Sequence, residues 1–312
     1  MQANRAALLG AIMVASATTA CAARRNNRTA EAPAPCTMVI PAGVAGQPIA
    51  ERSLPASQWF SLLLYGYMPS GAITRPATDC SGRRVDWLSD RCSGLPGPSA
   101  PLADRPLTAA DLVVGNPEGE SRLLWALTEH FADGQAQGPV ALVRFDAKSV
   151  KVEAMGVLRA HRTNTRLHLQ NTAGGTLLVA EGEACTVPQD PSTCSRTARL
   201  VPLVENRFTP VDLSDAAGKC VGSALLLLKS QGTIGHGTGR KDFQFESALT
   251  YSADGVAVHE QLSVEERSKD GTAGTFLRRV QAERRVFLQR GALLATAPSI
   301  LDLWLAARQK GE

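Results

Sequence analysis

The chain has 312 residues, 44% of them hydrophobic, and its 33 Lys and Arg against 29 Asp and Glu leave a formal charge of +4. That length supports a substantial core, either one large all-β domain or two smaller ones. The small net charge, with no basic cluster interleaved with aromatics, gives nucleic-acid binding no support.

Residues 1–20 open with a single positive charge, Arg5, followed by an uncharged run over residues 6–17 and then small residues. This is the three-part layout of a signal peptide. About a dozen apolar residues fall short of the roughly 20 that span a bilayer core, so removal is expected rather than retention as a transmembrane helix. The run Thr18-Thr19-Ala20-Cys21 resembles the lipobox of bacterial lipoproteins, with Thr18 where that family usually carries Leu or a similar aliphatic residue. The resemblance implies a diacylated Cys21, cleavage just before it, and a lipid anchor as the membrane partner. Ala22 in place of Asp implies sorting to the outer membrane. Ordinary secretion of a soluble product, with cleavage after Ala20-Cys21-Ala22, is the alternative. Residues 21–35 read as a disordered tether, rich in Arg, Ala and Pro and without core-forming side chains. A flexible chain of that length reaches on the order of 20 Å.

Residues 36–312 read as one disulfide-stapled, β-rich domain. Apart from Cys21 the cysteines are Cys36, Cys80, Cys92, Cys185, Cys194 and Cys220, an even number in an exported chain, and three disulfides are expected. Proximity in sequence suggests Cys80 with Cys92 and Cys185 with Cys194, which leaves Cys36 with Cys220. Each short loop is worth about 3 kcal/mol in the chain-entropy model. Structural zinc would need C-x-x-C or a Cys/His cluster, and neither occurs.

Residues 76–107, rich in Pro, Gly, Ser and charge, read as a stapled surface loop. RLLWALTEHFADGQAQGPVALVRF reads as a long hairpin turning at Asp133-Gly134, with a helix up to Phe131 as the competing assignment. From about residue 138 the pattern is strand, turn, strand. Val150, Val152 and Ala154 alternate with charges, as do Leu167 and Leu169, Phe243 and Phe245, and Val256, Val258, Leu262 and Val264. Turn residues separate these runs at 146–149, 174–175, 205–206, 254–255 and 290–291. TLLVAEG and ALLLLKS are apolar on both faces, so a second layer should cover them. The fold class expected is mainly β, an antiparallel meander forming a two-layer sandwich or barrel-like sheet. A short helix over residues 298–309 should dock on it, starting at Pro298 and presenting Ile300, Leu301, Leu303, Trp304 and Leu305. RTNTRLHLQNTAGGTLLVAEG resembles the inner half of a kelch-type propeller blade, which implies a strand–turn–strand unit. It occurs in one copy over about 20 residues, without the period a propeller requires, and is read as a generic hairpin.

The motifs of chemistry are sparse. G-x-S-x-G and S-x-x-K are absent, and His259-Glu260 lacks the second His of a zincin. GTIGHGTGRK precedes an alternating strand rather than a helix, so it reads as a hairpin connection and not a phosphate cradle. Glu181 and Glu183, two apart on a strand, would project from one face about 7 Å apart, a separation compatible with paired-carboxylate glycosidase chemistry and equally with a solvated face. His130, His161, His168, His236 and His259 read as five separate surface histidines. No catalytic, cofactor-binding or metal-binding residue is assigned. The expected function is that of a lipid-anchored cell-envelope protein with a binding or structural role. A secreted hydrolase with a dispersed Glu/His site, or an envelope lipid carrier, is the alternative.

Overall fold

Alternating side chains turn into ladders along most of the chain. A computed structural model describes residues 36–88, 99–115, 119–185, 194–235, 240–267 and 274–309. In order these contain β1 (Thr37–Val39), α1 (Ala42–Ala45), α2 (Ala56–Leu63), β2 (Leu112–Gly115), β3 (Ser121–Ala126), β4 (Glu129–His130), β5 (Gln135–Phe145), β6 (Ser149–His161), β7 (Thr163–Thr172), β8 (Gly175–Cys185), β9 (Cys194–Val204), β10 (Arg207–Phe208), β11 (Leu213–Ser214), β12 (Cys220–Gly222), β13 (Leu225–Ile234), β14 (Lys241–Ser252), β15 (Gly255–Arg267), β16 (Gly274–Gln289), β17 (Ala292–Ala295) and α3 (Ile300–Gln309).

Two sheets share one hydrogen-bonded network. The first runs β2-β3-β5-β6, with β1 on the outer edge of β6. The second runs β7-β8-β9-β13-β14-β15-β16-β17-β11-β12. The short β10 links them, antiparallel to β9 and parallel to β6. Most neighbours are antiparallel hairpins, and the predicted turns lie where strands reverse. At Glu205-Asn206 and Arg290-Gly291 both central residues have positive φ, the conformation whose twist matches a two-residue hairpin. Asp133-Gly134 turns the hairpin of β3, β4 and β5, so the strand assignment of that segment holds and the helix does not. Among the described residues β7 and β12 remain as edges and the second sheet does not close.

Burial explains the layers. Trp125, Leu123, Val140 and Leu158 of the first sheet pack on Leu167, Leu178, Ala180 and Val201 of the second, a two-layer sandwich. The opposite face of β8 and β9 presents Leu177, Val179, Ala198 and Leu200. The second sheet curls over them, bringing Leu226, Val256, Val258, Val286 and Leu288 into one cluster. β8 is therefore covered on both sides, as its continuous apolar run requires. The other face of the first sheet is covered by α1, α2 and their flanks: Trp59, Phe60 and Leu63 pack against Leu124, Val143, Phe145 and Met155, with the Trp59 and Phe145 rings edge-to-face at 5.8 Å. Helix α2 escapes the sequence reading because its apolar face spans only two turns, too short for periodicity to stand out.

The C-terminal helix docks as expected, except that Leu303 points to solvent, 54% exposed. Ile300, Leu301, Trp304 and Leu305 cover Phe243, Phe245, Leu262 and Val264 on the strands that project beyond the main cluster.

The disulfide pattern differs from the one expected. Cys185 and Cys194 are joined, but Cys80 pairs with Cys36 across 44 residues rather than with Cys92. Residue 36 accepts a backbone bond from Val152 of β6, and Cys80 donates one to Leu63 at the end of α2. Packing of α2 over the first sheet thus places the two cysteines together, which sequence spacing cannot show. Cys36 is consequently not the partner of Cys220. Cys220 is itself disulfide-bonded, to a cysteine outside the described residues. Cys21 and Cys92 lie outside the described residues.

Candidate functional site

The β7–β8 hairpin builds a polar cleft. Counting back from its Gly174-Gly175 turn sets Arg166 opposite Glu181. Two residues earlier the register slips: Thr163 pairs with Glu183, and the intervening Asn164 adopts a positive φ of 52°, a bulge. Bulges re-aim side chains and collect beside functional sites, and Asn is among the few residues that take this conformation readily. Here the bulge turns Asn164 so that its Nδ2 donates to Glu183 Oε2 at 2.7 Å, while the Thr165 hydroxyl donates to the His161 carbonyl at 2.9 Å.

The resulting cleft, about 530 Å³, is lined by Asn164, Thr165, Arg166, Glu181, Glu183 and Arg196. Arg196 of β9 reaches both carboxylates, Glu181 at 3.9 Å and Glu183 at 3.8 Å. Arg166, exposed, forms no ion pair or hydrogen bond among the described residues, although it stands across the ladder from Glu181. Behind Glu181, the ring of Tyr251 from β14 meets His168 of β7 edge-to-face at 5.5 Å. The buried Tyr251 hydroxyl faces the Glu181 carboxylate. Burial, with the Glu181 charge adding to it, pushes its ionisation above the usual phenol range. Burial pulls His168 below the ordinary histidine value, and Glu181 only partly opposes this.

Glu181 and Glu183 do share one face, as alternation requires. Their side chains are 25% and 26% exposed and face the same guanidinium. A glycosidase divides labour between two carboxyls held in different environments; here one guanidinium faces both, while Asn164 bonds Glu183 and Tyr251 lies beside Glu181. Glu183 also lies with Cys185 and Cys194 in a group with metal-ligand proximity, but both sulfurs are taken up in the disulfide.

The histidines are not a set of surface residues. His161 and His130 are largely buried because β6 and β4 lie inside the sandwich rather than at its rim. His161 Nδ1 lies 2.8 Å from the Thr197 hydroxyl, a nucleophile-and-base spacing, but both groups are enclosed between the sheets. His130 lies between Asp111 and Arg162. Its Nε2 donates to Asp111 Oδ1 at 3.1 Å, and its Nδ1 accepts from Arg162 Nη1 at 2.8 Å. A guanidinium therefore occupies the position where a catalytic dyad would hold a hydroxyl. Asp111 also receives both terminal nitrogens of Arg105 and the backbone and hydroxyl of Thr108. Burial pushes its carboxyl up, but these donors outweigh burial and hold it below the usual range.

His259 sits on the outer face of β15, 3.6 Å from Glu283, in a more open groove of about 610 Å³. Gln281 and Gln261 in that groove bond to each other. His236 lies outside the described residues. The ends of the glycine-rich segment belong to β13 and β14, with Ile234 paired to Lys241, so the segment connects a hairpin.

The sequence reading passed over Arg166, which counting back from the 174–175 turn would have set against Glu181. Arg196, Asn164 and Tyr251 were not legible in the sequence, because β9, the bulge and β14 reach the cleft only in the folded chain. No family model matches this chain, and no curated protein or solved structure matches it.

Proposed function

We propose that this protein is a lipid-anchored binding protein of the cell envelope, held to the outer membrane through Cys21, and that the cleft between β7 and β9 receives its ligand. The leader and the lipobox-like Thr18-Thr19-Ala20-Cys21 support the anchor. The observation that carries the binding role is the cleft wall itself, where the bulge at Asn164 gathers Arg166, Glu181, Glu183 and Arg196 and leaves the exposed Arg166 without an ion pair among the described residues. The hydrolase alternative is less well supported, because the two carboxylates, both facing Arg196, are the cleft's only candidate acid and base among the described residues. The lipid-carrier alternative would need an apolar cavity, whereas the concave side of the second sheet is filled by Leu177, Val179, Leu226, Val258 and Leu288.

Intact-mass analysis of the mature protein purified from membranes tests the anchor. Three acyl chains on Cys21 are expected, and a soluble product starting at Ala23 would overturn it.

A further inference from the structure

The charges in the cleft balance in number but are not joined in pairs. Glu181 and Glu183 together carry two negative charges around the guanidinium of Arg196, which touches each beyond ordinary hydrogen-bond length at 3.9 and 3.8 Å. The exposed Arg166, across the ladder from Glu181, makes no ion pair among the described residues. The wall therefore presents separated negative and positive charges to solvent, at the reach of a cross-strand pair, about 5 Å between β-carbons.

The arrangement is held rather than fortuitous. Asn164, fixed in the left-handed region by the bulge, donates to Glu183 and keeps that carboxylate on the cleft side. Gly182 between the two glutamates has its α-carbon against the β6 backbone, so that a β-carbon there would come within 2.2 Å of the His161 carbonyl. That contact fixes the face on which both glutamates project.

We infer that the cleft recognises a small zwitterion, its anionic group on Arg166 and its ammonium group between Glu181 and Glu183. This rests on the binding role proposed above and names the ligand chemistry of that site. A plain anion would satisfy Arg166 but face two carboxylates, and a plain cation would face two guanidinium groups. A ligand bearing both charges meets its complement at each end. Two sources share this chemistry, the free ends of a short peptide and the phosphoethanolamine headgroup of a lipid.

Titration calorimetry on the mature chain separates them. The probes are alanyl-alanine and glycerophosphoethanolamine, with N-acetyl-alanyl-alanine and alanyl-alanine amide as single-charge controls. Saturable binding of one zwitterion is expected, at least about tenfold tighter than either control, as the loss of a charged partner entails. Arg166→Gln and Glu183→Gln should each weaken that binding about tenfold or more while the thermal midpoint stays unchanged. Preference for alanyl-alanine assigns the peptide source, and preference for glycerophosphoethanolamine assigns the headgroup. Equal binding of a single-charge control overturns the zwitterion while leaving a binding role. Absence of saturable heat from both zwitterions, or wild-type affinity in Arg166→Gln, overturns the inference, and the anchor is judged separately by mass.

Discussion

Glu260 accepts a hydrogen bond from Arg284 at 2.8 Å on the concave face of the β15–β16 ladder, with both side chains almost wholly buried. The two are diagonal neighbours, Arg284 standing opposite Val258. The second Glu260 oxygen accepts the Ile300 N–H at 2.9 Å, so the pair separates the main apolar cluster from the smaller one beneath α3 and pins the start of that helix. Removing one partner strands a buried charge, which costs about 3–5 kcal/mol, whereas replacing both with apolar residues is often neutral. Glu260→Ala should therefore lower stability by about that amount, and the Glu260→Leu/Arg284→Met double variant by much less. Denaturant unfolding with Trp304 emission as the reporter of α3 checks this. Equal loss in the single and double variants would show that the pair does not hold the helix.

The disulfides make a sharper test of the anchor than their number does. Non-reducing peptide mapping should return Cys36 with Cys80 and Cys185 with Cys194. Cys220 is also bonded, and the only cysteines left in the sequence are Cys21 and Cys92. An acylated Cys21 cannot take part, so the third linked peptide must contain Cys92. A Cys21–Cys220 peptide would exclude the lipid anchor outright.

Three histidines act against two carboxyls in the acid response, since burial raises Glu129 and Asp302 and so favours the folded chain as pH drops. Burial lowers His130, His161 and His168 below the ordinary histidine value, with Arg162 adding to the effect at His130. The unfolded chain, with histidines near pKa 6.5, therefore binds more protons at these histidines below about that pH, and on their account stability falls as pH drops through this window. Asp111, held below the carboxylate range, acts in the same direction at lower pH: its contribution is present above the unfolded value and is lost as pH falls toward the folded one. Between pH 7.5 and 5 the thermal midpoint of His161→Gln should fall less, or rise more, than that of the native chain, because one lowered histidine is removed. An identical pH profile in the two proteins would contradict the assignment.

Gly182 is required by a close approach rather than by a turn. A β-carbon there would lie 2.2 Å from the His161 carbonyl oxygen and 3.0 Å from its carbon, and backbone of β6 cannot yield as a flexible side chain could. Gly182→Ala should cost about 1–3 kcal/mol as overpacking does, read as a fall in the urea midpoint. Gly218→Ala, where a β-carbon meets nothing within 4 Å but φ is positive, separates steric from conformational cost. A smaller loss at Gly182 than at Gly218 would place the sheets further apart than described.

Much of the fold could be read from the residues in order. Period-two alternation with turn residues between runs specified the hairpins, because each ladder joins neighbours in sequence and needs only local chemistry. Leu177 to Ala180 announced a strand covered on both sides. The turns read at 205–206 and 290–291 are present, each with positive φ at both central residues.

What the amino-acid order could not decide was whatever depends on distant segments meeting. Cys36 reaches Cys80 only after α2 folds over the first sheet. Arg196 and Tyr251 join Glu181 only after the second sheet curls, and His161 becomes an interior residue only when two sheets close on β6. Local pattern determines hydrogen-bonded neighbours through backbone geometry, while partners far apart in sequence are chosen by the packing of whole faces. Burial, disulfide connectivity and the composition of the cleft therefore belong to the tertiary structure.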